Sequence, residues 1–84
     1  MAKRELIPRF DGRKSFGKKA WVIDENGELV LKSYDTLVAR IKGGKAEVRG
    51  LYSQTTTRHI KEFLRQSGMN VQTSQDLKKL IREF

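Results

Sequence analysis

Cysteine is absent from this chain of 84 residues, and histidine and proline occur once each. Without cysteine the chain can form no disulfide and no thiolate metal site, and a single histidine supplies too few ligands for a zinc site. Small secreted domains usually depend on disulfides, so this composition favours an intracellular protein. We therefore expect neither a metal nor a cofactor.

Long apolar runs are also missing from the sequence. No stretch approaches the roughly 18 residues that a membrane-spanning helix needs. The first ten residues carry charge but no apolar core, so they do not have the pattern of a signal peptide. The sequence therefore predicts a cytoplasmic protein that makes no contact with membranes.

Catalytic motifs are sparse. A nucleophilic triad could be proposed from Ser53, His59 and Asp35, but the serine does not lie in the sequence motif of a nucleophile elbow. The Gly43-Gly44 pair has neither the following helix nor the Gly-Lys-Ser/Thr signature of a phosphate loop. We expect His59 to be half-buried with its ring hydrogen-bonded, rather than to bind a ligand. The sequence thus predicts a protein that is not an enzyme.

Positive charge, by contrast, is abundant. Lysine and arginine together number 18 against 10 acidic residues, which gives a net charge of +8. Such an excess indicates a polyanionic partner, although solubility alone is the simpler alternative. The first 19 residues hold +5 of this charge. Because Pro8, Gly12 and Gly17 interrupt them, residues 1–17 are predicted to form a basic, partly ordered arm.

Two dipeptides predict two β-hairpins. Asn26-Gly27 and Gly43-Gly44 both suit two-residue type I′ turns, in which both central residues have positive φ. The first turn places Ile23 opposite Val30 and Trp21 opposite Lys32. The second creates a predicted core face formed by Leu37, Ala39, Ile41, Ala46, Val48 and Gly50. The opposite face is expected to meet solvent or a partner, and it carries Val38, Arg40, Glu47 and Arg49.

Helical periodicity follows the hairpins. Between Leu51 and Gly68 one face is apolar, and it is formed by Thr56, Ile60, Phe63 and Leu64. Ser53 or Thr55 is expected to cap this helix, and Arg58 is expected to pair with Glu62 one turn later. A last helix should start at Thr73 or Ser74, with an apolar stripe of Leu77, Leu80, Ile81 and Phe84. This stripe is predicted to join the core, with a dimer contact as the alternative.

Together these patterns predict an α+β fold. The sheet would be an antiparallel meander of three to four strands, built from two hairpins and covered by one helix. A C-terminal amphipathic helix would complete it. Residues 18–84 are predicted to form this single domain behind the arm of residues 1–17.

Two stretches of the sequence carry a resemblance. Residues 32–41, KSYDTLVARI, and residues 52–68, YSQTTTRHIKEFLRQSG, resemble the motifs S-Y-x-T-x-V-A and Y-S-x-T-T-x-R-H-I-K-E-F-L of a small uncharacterised domain family of phages, prophages and Firmicute hosts. The matching positions are Ser33, Tyr34, Thr36, Val38, Ala39, Tyr52, Ser53, Thr55, Thr56, Arg58 and His59. The resemblance implies a phage-type protein in the cytoplasm of a bacterial host cell, and it implies no activity.

The favoured hypothesis is a small nucleic-acid-binding protein that lays its arm and exposed sheet face on the phosphate backbone, with DNA favoured over RNA. Its candidate contacts are Lys3, Arg4, Arg9, Arg13, Lys14, Lys18, Lys19, Trp21, Lys32, Arg40 and Arg49. The start of the first helix is a further candidate for an anion site, because hydroxyls and free N–H groups meet a basic residue there. That site would consist of Thr55, Thr56, Thr57 and Arg58, and ordinary helix capping is the equal alternative.

Two other classes of function remain open. The protein could inhibit or regulate a host nucleoprotein enzyme as an anti-defence factor, for example of anti-CRISPR type. Such inhibitors more often carry acidic, DNA-like surfaces, so the basic charge counts against this class. It could also be a dimeric structural accessory protein that forms a homodimer through its C-terminal helix.

Overall fold

The computed structural model describes residues 2–12, 14–50, 53–71 and 73–82. Several positions named above lie outside these residues. They are Arg13 of the arm, Leu51 and Tyr52 before the first helix, and Phe84 of the C-terminal stripe.

Five strands form one antiparallel sheet whose spatial order follows the sequence. They are β1 (Ala2–Glu5), β2 (Ala20–Glu25), β3 (Glu28–Ser33), β4 (Thr36–Lys42) and β5 (Lys45–Val48). Helix α1 (Gln54–Gln66) and the short helix α2 (Ser74–Lys78) follow the sheet. The predicted α+β fold with an antiparallel meander is confirmed, and the sheet has one strand more than predicted.

Both predicted hairpin turns are confirmed. Asn26 and Gly27 have φ values of 52° and 76°, and Gly43 and Gly44 have values of 59° and 78°, as type I′ turns require. Each turn fixes the pairing of its two strands. In the first hairpin Ile23 faces Val30 and Trp21 faces Lys32. In the second hairpin the turn pairs Ala39 with Val48, Arg40 with Glu47, and Ile41 with Ala46.

A β-bulge in β4 corrects the predicted faces of that strand. Leu31 pairs with Ala39 but Lys32 pairs with Leu37, so Val38 is an extra residue without an opposite partner in β3. A bulge shifts the alternation of side chains by one residue. Val38 is therefore buried at 1% exposure, and Leu37 is 40% exposed on the open face of the sheet. The prediction had assigned these two residues the other way round.

The N-terminal segment contributes to the fold, although the sequence predicts only a partly ordered arm. Strand β1 pairs with β2, with Lys3 opposite Ile23. After it, the backbone N–H of Leu6 donates to the Ala20 carbonyl at 2.8 Å. Leu6 and Phe16 are both buried in the core. The first strand is thus held by backbone pairing and by the apolar residues that follow it.

Helix α1 has the predicted caps and the predicted apolar face. The Ser53 hydroxyl accepts from the backbone N–H of Thr56 at the start of the helix. At the other end Gly68 has a φ of 93°, and the N–H groups of Gly68 and Met69 donate to the carbonyls of Arg65 and Leu64. This is the Schellman pattern. The face formed by Thr56, Ile60, Phe63 and Leu64 is buried.

The C-terminal segment starts as predicted but leaves the helix early. Thr73 caps α2, and its hydroxyl accepts from the Asp76 backbone N–H while the Asp76 carboxylate accepts from Thr73 N–H. After Lys78 the chain pairs with β5 instead of continuing the helix. Val48 N–H donates to the Leu80 carbonyl, and Arg82 N–H donates to the Val48 carbonyl, both at 2.9 Å. The open backbone groups of β5 therefore compete successfully with another helical turn.

Candidate functional site

Basic and aromatic side chains are concentrated around one end of the sheet. Trp21, Lys32 and Leu37 lie side by side on three neighbouring strands, on the face that α1 does not cover. The side chain of Arg49 extends to Leu37, and its Nη1 donates to the Leu37 carbonyl at 3.4 Å. We call this end of the molecule the sheet-end surface, and it consists of Lys18, Lys19, Trp21, Lys32, Tyr34, Leu37 and Arg49. Lys19 and Tyr34 lie on its α1 side, beside Thr55 and His59, whereas Trp21 lies on its open side.

Two aromatic rings on this surface each have a lysine ammonium above them. Lys3 Nζ lies 4.9 Å from the Trp21 ring, and Lys19 Nζ lies 5.5 Å from the Tyr34 ring. A hydrogen bond holds the Trp21 ring, because its Nε1 donates to the Lys18 carbonyl at 2.8 Å. The Tyr34 backbone is held as well, because its N–H donates to the Lys19 carbonyl at 2.7 Å. Basic groups alternate here with flat apolar rings, an arrangement suited to phosphates and bases.

Arg40 lies at the centre of the open sheet face and has acidic neighbours. Its Nε donates to Glu47 Oε1 at 2.8 Å, and its Nη1 lies 3.8 Å from Glu28 Oε1. The half-buried side chains of Val30 and Ile23 continue the same row across β3 and β2, with Val30 opposite Arg40. The middle of the face is therefore balanced in charge and partly apolar, unlike the sheet-end surface.

The remaining basic candidates are spread over other parts of the molecule. Arg4 lies on the helix side of β1, because it pairs with the buried Val22. Arg9 and Lys14 are exposed in the loop between β1 and β2. Arg13 lies outside the described residues. The structure thus places Lys18, Lys19, Lys32 and Arg49 around one end of the sheet, with Lys3 over the Trp21 ring. It separates Arg4, Arg9, Lys14 and Arg40 from them.

At the start of α1 the hydroxyl groups are used inside the protein. Thr56 is buried, and its Oγ1 lies 3.2 Å from Ser33 Oγ. Thr57 Oγ1 and Thr57 N–H both donate to the Ser53 carbonyl. Arg58 lies 3.7 Å from Asp11, and so the predicted pair with Glu62 is replaced by a contact with the N-terminal segment. Of the proposed anion site, Thr55 lines a surface pocket beside Lys19 and Tyr34.

His59 is fully buried rather than half-buried as predicted. Its Nδ1 lies 2.8 Å from Ser33 Oγ, which confirms a hydrogen bond to the ring. The ring also packs edge-on against Phe16 at 4.5 Å between centroids. These contacts join α1 to β3 and to the loop before β2, so the geometry assigns His59 a role in packing.

Glu62 is a charged side chain buried under the N-terminal loop, by which we mean residues 6–12. It is 1% exposed. Its Oε1 accepts from the backbone N–H groups of Phe10 and Asp11 at 3.0 and 2.9 Å, and its Oε2 accepts from Gln66 Nε2 at 2.6 Å. Burial on its own raises the pKa of Glu62, but the hydrogen bonds from Gln66 and from the loop outweigh it, so the pKa lies below its ordinary value.

A groove of about 390 Å³ separates the N-terminal loop from the outer face of α1. We call it the helix-side groove. The loop supplies Phe10, Asp11 and Gly12, and the helix supplies Gln54, Thr57, Arg58, Lys61, Glu62 and Arg65. The guanidinium of Arg65 lies 5.2 Å from the Phe10 ring. This is a second place where a basic group and an exposed aromatic ring meet.

Sequence reasoning missed several residues of these two surfaces. Tyr34 has a φ of 56° in the turn between β3 and β4, and its exposure follows from that turn. Leu37 is exposed only because of the bulge. Lys61 and Arg65 were visible as the polar face of α1, but nothing in the sequence placed Phe10 beside them.

Other kinds of site have no support in the described part of the chain. No group of three or more metal-ligating side chains lies together among these residues. Neither of the described helices has the length and apolar character required to cross a membrane.

Comparison with known proteins gives a family and no named relative. No curated protein and no solved structure matches the chain. The model of a family of unknown function, DUF8033, matches residues 4–79, which run from within β1 to the residue after α2. The match therefore includes the end of the N-terminal strand, the sheet-end surface and the helix-side groove, and the chain belongs to DUF8033, a family of unknown function.

Proposed function

We propose that this protein is a non-enzymatic nucleic-acid-binding protein of phage type that acts in the cytoplasm of a bacterial cell. The observation that carries the proposal is the sheet-end surface, where two aromatic rings stand directly below lysine ammonium groups. Phosphates would lie on Lys18, Lys19, Lys32 and Arg49, and the rings of Trp21 and Tyr34 would contact sugars or bases. The net charge of +8 supports the same conclusion.

Charge at the sheet end, rather than net charge alone, is what this proposal requires. We expect a double variant, Lys19→Gln with Lys32→Gln, to bind nucleic acid more weakly than wild type. For duplex DNA it should also reduce the slope of log affinity against log salt by about 1.8, since each phosphate contact contributes roughly 0.9. Fluorescence anisotropy over a range of salt concentrations measures both quantities. Glutamine keeps much of the lysine methylene chain, so folding should be unaffected.

The matched control is Lys42→Gln with Lys45→Gln, which removes the same charge next to the Gly43-Gly44 turn. The two control residues lie at the opposite end of β4 and β5. We expect this variant to retain the wild-type salt slope. Equal effects of the two double variants would contradict a localised interface, and wild-type binding by both would overturn the proposal.

A protein partner is the second candidate, and the centre of the open sheet face favours it. Arg40 is balanced there by Glu28 and Glu47, and Ile23 and Val30 are half-buried around them. Charge balance with apolar area is typical of protein interfaces and unfavourable for phosphate. The inhibitor or regulator hypothesis would use this region. It predicts that Arg40→Ala leaves binding to naked nucleic acid unchanged.

A further inference from the structure

The N-terminal loop holds an aromatic ring in solvent, and a buried carboxylate fixes it there. Phe10 is 54% exposed. Its backbone N–H and that of Asp11 both donate to Glu62, and Gln66 Nε2 donates to the Ile7 carbonyl at 2.6 Å. Burying a carboxylate is costly unless several hydrogen bonds compensate it. Here those bonds stabilise the part of the loop in which Phe10 is exposed to solvent.

The neighbouring face of α1 is basic. Arg58, Lys61 and Arg65 fall within about 60° of one another around the helix axis, on the side opposite Phe63. Arg58 is already paired with Asp11 at 3.7 Å. Lys61 and Arg65 are therefore the cations most suited to a bound anion, and Arg65 lies against the Phe10 ring.

A ring that can stack and two cations about one helical turn apart suit a ligand with an aromatic base and a phosphate. The helix-side groove, at about 390 Å³, is within the usual range for small-ligand sites. Bases inside a duplex have both faces covered by their neighbours, so only an unpaired nucleotide can offer a face to Phe10.

We propose that the helix-side groove binds one unpaired nucleotide of a single strand, with its base on Phe10 and its phosphate on Lys61 and Arg65. This inference rests on the proposed function and deepens it. The sheet-end surface would contact the backbone of any nucleic acid. The groove would make the protein prefer single strands to duplexes.

The site can be tested without a polymer. Isotope-labelled protein is titrated separately with adenosine monophosphate, adenosine and inorganic phosphate, and the backbone amide signals of Gly12, Lys61 and Arg65 are followed by NMR. We expect adenosine monophosphate to shift these signals and to bind about tenfold more tightly than adenosine or phosphate, because only it uses both halves of the groove. Absence of shifts at Gly12 and Lys61 would overturn the inference.

Variants then assign the two halves of the groove. Phe10→Leu should weaken binding of adenosine monophosphate about tenfold, since it removes one stacking ring. It should weaken binding of a short single strand equally and leave duplex binding unchanged. Ile7→Ala is the matched control, because Ile7 is 47% exposed in the same loop and does not line the groove. Lys61→Gln should reduce phosphate binding, and Lys78→Gln on α2 should not.

These outcomes separate the groove from the proposed function. Suppose that Phe10→Leu binds the mononucleotide as tightly as wild type does, while polymer binding still depends on Lys19 and Lys32. That result would overturn the groove as a nucleotide site and leave the proposed function in place. Shifts with adenosine monophosphate but no affinity for any polymer would overturn the proposed function and leave the groove in place.

Discussion

Glu62 is the residue whose chemistry departs most from its position in the sequence. It lies on an amphipathic helix four residues after Arg58, where the sequence predicts an exposed ion pair. Instead its carboxylate lies under the N-terminal loop and accepts hydrogen bonds from two backbone N–H groups and from Gln66. The negative charge of Glu62 therefore stabilises the folded protein, and the free energy of unfolding depends on pH.

The sign of that dependence follows from the lowered pKa of Glu62. A carboxyl group whose pKa is lower in the folded than in the unfolded state stabilises the protein above its ordinary pKa, here 4.5. This contribution is lost as the pH falls below that value and through the lowered folded pKa. We expect Glu62→Gln to be less stable than wild type by about 1–3 kcal/mol at pH 7, since a buried acceptor is replaced by a weaker one.

The difference between wild type and Glu62→Gln should narrow as the pH falls below about 4.5, because the unfolded wild-type chain then binds a proton at Glu62 before the folded protein does. Urea unfolding of both proteins at a series of pH values measures this difference in the free energy of unfolding. The contributions of the other acidic residues are the same in both proteins at each pH and therefore cancel. A difference that stays constant from neutral to acidic pH would show that the charge of Glu62 does not stabilise the loop.

At the scale of elements, the N-terminal segment is the one whose role changes most between sequence and structure. The sequence indicates an arm that serves binding more than folding, whereas β1 extends the sheet and Leu6 is 1% exposed. Leu6→Ala should therefore cost about 2–5 kcal/mol. Ile7→Ala, on the adjacent and exposed residue, should cost no more than about 0.5 kcal/mol. Similar melting temperatures for the two variants would mean that the segment lies outside the cooperative fold.

The elements that sequence reasoning predicted well are governed by local rules. Asn26-Gly27 and Gly43-Gly44 fix their hairpins because few residue pairs adopt positive φ twice in succession. The apolar face of α1 follows from its period. The elements that sequence reasoning missed depend on partners that are distant in the sequence. Residues 2–5, with the sequence AKRE, have no strand pattern and pair only because β2 offers an edge.

The bulge at Val38 and the early end of α2 have the same kind of cause. Alternation in β4 cannot reveal an inserted residue, so Val38 and Leu37 were assigned to the wrong faces. The stripe through Ile81 fits a helix well, but the backbone around Leu80 instead satisfies Val48 at the edge of β5. The candidate basic residues were visible in the sequence, but their division between two surfaces was not.

At the scale of the whole molecule, the spacing of charges matters as much as their sum. The protein measures 31 × 29 × 23 Å. At physiological salt the Debye length is about 8 Å, so charges at one end of the sheet act only weakly at the other. At 0.01 M salt it is about 30 Å, and the whole molecule then acts as one positive body.

The two double lysine variants should differ at both salt concentrations. The variant at Lys19 and Lys32 has the smaller salt slope, so its loss of affinity relative to wild type should grow as the salt concentration falls, whereas the control at Lys42 and Lys45 should lose less. Anisotropy titrations of both variants at the two salt concentrations measure this. Equal losses of affinity in the two variants at both salt concentrations would show that net charge, rather than its position at the sheet end, determines binding.

The bonds between α1 and the N-terminal loop also have a consequence for folding kinetics. Every strand pairs with its neighbour in the sequence, so the sheet can form through short loop closures. The bonds from Glu62 and Gln66 to the loop instead connect residues 51 to 59 positions apart. Such distant contacts carry the largest closure entropy and form late. The loop that carries Phe10 should therefore close last during folding and exchange its amide hydrogens first in the native protein.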